Sequence, residues 1–142
     1  ASKGIKDMPS FKVSWIAMAL LVPQIAQASG ACDGVSRVGD AAGKDAFRPF
    51  ISGALTEPPP ASQIAIADVL RRDAWTIVGA EIPDADGVGY FLYREESGKQ
   101  LFYCTWGGMA DPSEAGEVAR WATDQGAPSA LAECFASIAT GD

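Results

Sequence analysis

Trp75-Thr76-Ile77-Val78-Gly79-Ala80-Glu81-Ile82 is rich in β-branched and aromatic residues and closes at Pro83. Beyond the turn-like Asp84-Ala85-Asp86-Gly87 comes a second run of the same kind, Tyr90-Phe91-Leu92-Tyr93-Arg94. A third, Lys99-Gln100-Leu101-Phe102-Tyr103-Cys104-Thr105-Trp106, follows Ser97-Gly98. Such residues fit a pleated, half-buried surface, and runs parted by short turns pair with their neighbours. The stretch therefore predicts a three-stranded antiparallel meander. Both faces carry large apolar side chains, so helices are expected over one face and partial solvation on the other.

Towards the N-terminus, Phe47, Phe50, Ile51, Ala54 and Leu55 recur at helical spacing. Pro49 is tolerated only in a first turn, which places the helix start between Asp45 and Arg48. Glu57-Pro58-Pro59-Pro60 ends it as a stiff connector, and Ser62 reads as the cap of a second helix carrying Ile66, Val69 and Leu70 on one face. Towards the C-terminus, Asp111-Pro112-Ser113-Glu114 is the clearest local signal: a cap, a proline at the first helical position and the glutamate of a capping box. That helix should stop at Gly126 and bury Ala115, Val118, Ala119 and Ala122. Pro128-Ser129 opens a last helix with Leu131, Cys134, Phe135 and Ile138 on one stripe. The expected fold is α+β, with two helices before the meander and two after it, all packed on one face.

The first residues concern an address. Lys3, Lys6 and Lys12 precede an apolar run from Val13 to Val22, and Ala26-Gln27-Ala28 ends in small residues. This reads as a secretory signal peptide over residues 1–28. A run of ten positions falls well short of the roughly twenty that cross a bilayer, so no stable membrane insertion is expected. The alternatives are an uncleaved marginal anchor, an ordinary buried segment and lipidation at Cys32, although Ser29 stands where an aliphatic residue normally precedes that last processing. Residues 29–44, rich in Gly, Ser, Ala and Asp, read as a flexible arm, and 45–142 as a single α+β domain.

Without the leader's three lysines and one aspartate, the eleven basic and eighteen acidic residues fall to eight and seventeen, a net charge of −9. Such a field repels nucleic acid, whose binding rests on neutralising phosphates. Cationic proteins and small neutral ligands remain as partners; equally, the charge keeps an exported protein in solution. All three cysteines lie in the mature part, where an oxidising compartment pairs two of them. Cys104–Cys134 is the favoured pair, since both fall in expected regular elements among apolar neighbours; Cys32, in the loose lead-in, is then the odd thiol.

The chain contains no histidine, which removes Ser-His-Asp and Cys-His catalysis and the common zinc sets. Neither phosphate-loop nor dinucleotide glycine motif occurs, and no cofactor or metal is expected. Asp84-Ala85-Asp86-Gly87 begins like a calcium loop, but its twelfth position, Glu95, follows a strand. Glu81 and Glu114 would head a list of carboxylates for glycan hydrolysis, which needs a separation that spacing along a chain does not define. The better candidate is Trp106-Gly107-Gly108, a strand-end indole followed by two glycines, with Tyr103 beside it. These four residues read as a ligand or partner contact; the plainer reading puts Trp106 in the core, with Trp121, and the glycines in a bend. The function expected is that of a small periplasmic or secreted binding protein without enzymatic activity, in a specific form an acidic inhibitor or scavenger of a cationic extracytoplasmic partner. The alternatives are a small carboxylate-dependent glycan hydrolase and an accessory subunit of an envelope complex.

Overall fold

A computed structural model of the chain describes residues 30–141, so the leader lies outside the described residues. The fold is α+β around a five-stranded antiparallel sheet. Strands β1 (Ser36–Arg37), β2 (Ala65–Arg72), β3 (Trp75–Glu81), β4 (Val88–Glu96) and β5 (Lys99–Trp106) lie in chain order. The short α1 (Ala41–Asp45) and α2 (Arg48–Ala54) come before β2; α3 (Ala115–Asp124) and α4 (Ser129–Ala139) follow β5. The expected meander is there as β3 to β5. Its last turn is two residues long, with Ser97 at φ 52° and Gly98 at φ 80° between the paired Glu96 and Lys99. Two left-handed residues match the natural twist of a hairpin.

Two expectations are corrected. The segment after Ser62 forms a strand, and the sheet gains β1 and β2. Ile66 pairs with Ala80 and Asp68 with Gly79, so Ala67 is an extra, unpaired residue. This bulge shifts the side-chain alternation by one, and Ile64, Ile66 and Val69 all reach the same face. An interrupted period of two thus imitates helical spacing. Helices also cover both faces instead of one. On the first, α3 and α4 bring Val118, Ala122, Leu131 and Phe135 against Leu70, Ile77, Tyr90 and Leu92. On the second, Ile51 of α2 and Ile64 pack on Val69, Val78, Ala80, Phe91 and Tyr93. The Tyr93 hydroxyl ties the second layer down by donating to the Phe50 carbonyl at 2.8 Å.

The cysteine pairing differs as well: Cys32 and Cys134 form the disulfide, with their Cα atoms 4.3 Å apart, and Cys104 is free. Cys104 and Cys134 do share one core, but a shared apolar setting does not align two Cβ atoms. What aligns Cys32 is the folding back of the lead-in. Asp33 N–H donates to the Gly30 carbonyl, Val35 N–H to that of Cys32, and β1 then pairs with β2. The stretch read as an arm therefore carries a turn, a strand and α1. The Cys32 sulfur, being bonded to Cys134, is not free to hold a lipid.

Candidate functional site

At the end of the sheet where β3 finishes and β4 begins, a cleft of about 350 Å³ opens between the strands and the C-terminus of α4. Its walls include Val88 and Tyr90 of β4, Met109 and Ala110 beyond β5, and Ile138 and Ala139 of α4. Tyr90 lies flat because its cross-strand neighbour is Gly79; a Cβ there would meet the Tyr90 ring at 2.9 Å. On its other sides the ring packs against Phe135 at 4.8 Å and Trp106 at 6.1 Å. Trp106 in turn meets Phe135 at 5.6 Å and nearly at right angles, and Trp121 meets the same ring at 5.2 Å. Burial, aided by the charge of Asp68, pushes the Tyr90 hydroxyl up to about 12, so the ring remains neutral at ordinary pH.

Of the four expected contact residues, Gly108 lines the cleft. Its φ of +130° is a conformation that side chains rarely adopt, and it turns the chain so that Met109 stands wholly in solvent. Gly107 precedes it in an open loop. Trp106 is half-buried and supports Tyr90 from behind without lining the cleft. Tyr103 stands apart: its ring meets Trp75 at 5.0 Å and its hydroxyl donates to Glu96 at 3.0 Å. Sequence reasoning missed Tyr90, Val88 and the end of α4, which only the tertiary fold brings together. The one signal available was Gly79, a glycine inside a strand pattern, which often marks a close approach.

The two ends of the sheet differ in charge. Arg72 and Arg94 flank Trp75 in the pairing and Lys99 lies opposite Glu96, all at the end away from the cleft. The cleft end holds Glu81, Asp84, Asp86, Asp111 and Glu114, all exposed. Residues 81–93, 100–119 and 129–141 supply its walls and contain neither lysine nor arginine. The carbonyl end of α4 adds partial negative charge. Glu114 is engaged in its own helix cap, accepting from the Asp111 N–H at 2.7 Å. Glu95, the twelfth position counted from Asp84, is in β4 near the far hairpin. Among the described residues no three His, Cys, Asp or Glu side chains gather to hold a metal ion, and no helix is long and apolar enough to cross a membrane.

Comparison with protein-family models, with curated proteins and with solved structures finds no match for this chain.

Proposed function

We propose that this is an exported, periplasmic or secreted, binding protein that works without catalysis as an acidic inhibitor or scavenger of a cationic extracytoplasmic partner. The observation that carries the reading is the charge polarity of the sheet: one end gathers carboxylates and a helix C-terminus around an apolar cleft with no basic residue in its walls. Complementary charge steers encounter with a partner and excludes wrong ones. The leader-like residues 1–28 and the Cys32–Cys134 disulfide support the compartment, since such bonds persist where thiols oxidise. Trp106, Gly107 and Gly108 remain the proposed contact residues at the cleft end of β5, with Trp106 acting through Tyr90, while Tyr103, packed on Trp75 towards the other end, is a proposed contact outside the cleft.

Titration of the disulfide-bonded protein against a panel of purified basic proteins tests this. The expected result is binding that weakens steeply as salt rises. Binding indifferent to ionic strength, or none to any basic protein, would count against the reading.

A further inference from the structure

We infer that the cleft between Tyr90 and the end of α4 receives a single lysine or arginine side chain from a basic segment of the partner. This rests on the reading above and narrows it to one place and one chemistry. At about 350 Å³ the cleft is at the small end of ligand-sized cavities, room for one long side chain and not for a folded element. Val88, Ile138, Ala139 and Ala110 offer aliphatic surface of the kind that the methylene stem of such a side chain covers. Its charged head then meets two sources of attraction. The carbonyl end of α4 is the first. The second is the acidic rim, where Asp84 and Asp86 lead into Gly87 and Asp111 follows Ala110. An anion would meet repulsion from both of these. A purely apolar group would leave the carboxylates and the helix end without a partner charge.

Met109 supplies the test, because it lines the cleft yet stands fully in solvent, so replacing it leaves the core untouched. Met109→Lys places a competing charge at the mouth. Gln125→Lys makes the same change in net charge on an exposed position between α3 and α4, next to Gly126, whose backbone lies against Trp75 at the end of the sheet away from the cleft. Affinity for a labelled tetralysine peptide is measured at low salt by fluorescence anisotropy, on the intact disulfide-bonded protein. Met109→Lys should weaken binding about tenfold and Gln125→Lys less than about twofold. Met109→Gln should behave as wild type. Equal weakening by the two lysine variants would overturn the cleft as the site and leave the cationic partner standing. Absence of salt-sensitive tetralysine binding by the wild type would overturn both.

Discussion

Gly79 shows how one missing side chain shapes the cleft. Tyr90 crosses the sheet over it, held on the other side by Phe135, so an added methyl has nowhere to go without moving a buried ring. Gly79→Ala should therefore destabilise the protein by about 1–3 kcal/mol, the usual cost of overpacking. Urea unfolding of the variant checks it; an unchanged midpoint would mean that the ring has room to shift. Tyr93, on the opposite face, has the same need for protein surroundings. Burial pushes its hydroxyl well up, and it spends its proton on the Phe50 carbonyl. The thiol of Cys104 is likewise raised by burial, which makes it a poor nucleophile despite being free.

Among the elements, legibility followed the range of the forces involved. The start of α3 was readable because its signal is local: Asp111 and Glu114 satisfy each other's backbone within one turn. Asp111→Ala should cost about 1 kcal/mol, seen as a lower thermal midpoint; no loss would mean that the 3₁₀ turn Pro112–Glu114, which leads into α3, holds the helix start by itself. The β4–β5 turn was readable for the same reason. Strand β2 was not, because the bulge at Ala67 is stabilised by pairing with β3, and its effect on side-chain phase cannot be seen in a segment considered alone. Another bulge, between Leu92 and Tyr93 in the pairing of β4 with β5, turns Tyr103 and Cys104 towards the same core. It also distorts the edge strand that carries the exposed Leu101, Phe102 and Tyr103. Bulges at edges hinder pairing with other chains.

For the molecule as a whole, the disulfide joins the beginning of the described chain to its last helix, 102 residues apart. Closing so long a loop removes much of the unfolded chain's freedom, about 4–5 kcal/mol in the chain-entropy model. Replacing the pair as Cys32→Ser with Cys134→Ala should lower stability by roughly that amount, while Cys104→Ser should change it far less. A non-reducing peptide map accompanies the unfolding curves: Cys104 should be the sole alkylated cysteine, and a Cys104-containing bridge would contradict the fold described. The candidate site belongs to this scale too. Trp106 and the two glycines pointed to its neighbourhood, but the cleft itself arises where the end of α4 meets the start of β4, some fifty residues apart in the chain. No local pattern announces such a meeting. Amide chemical-shift mapping with tetralysine tests the central claim most directly. Shifts gathered at Val88, Gly108 to Ala110 and Ile138 to Gly141 are the predicted result; shifts confined to the exposed residues of β5, or none at all, would contradict it.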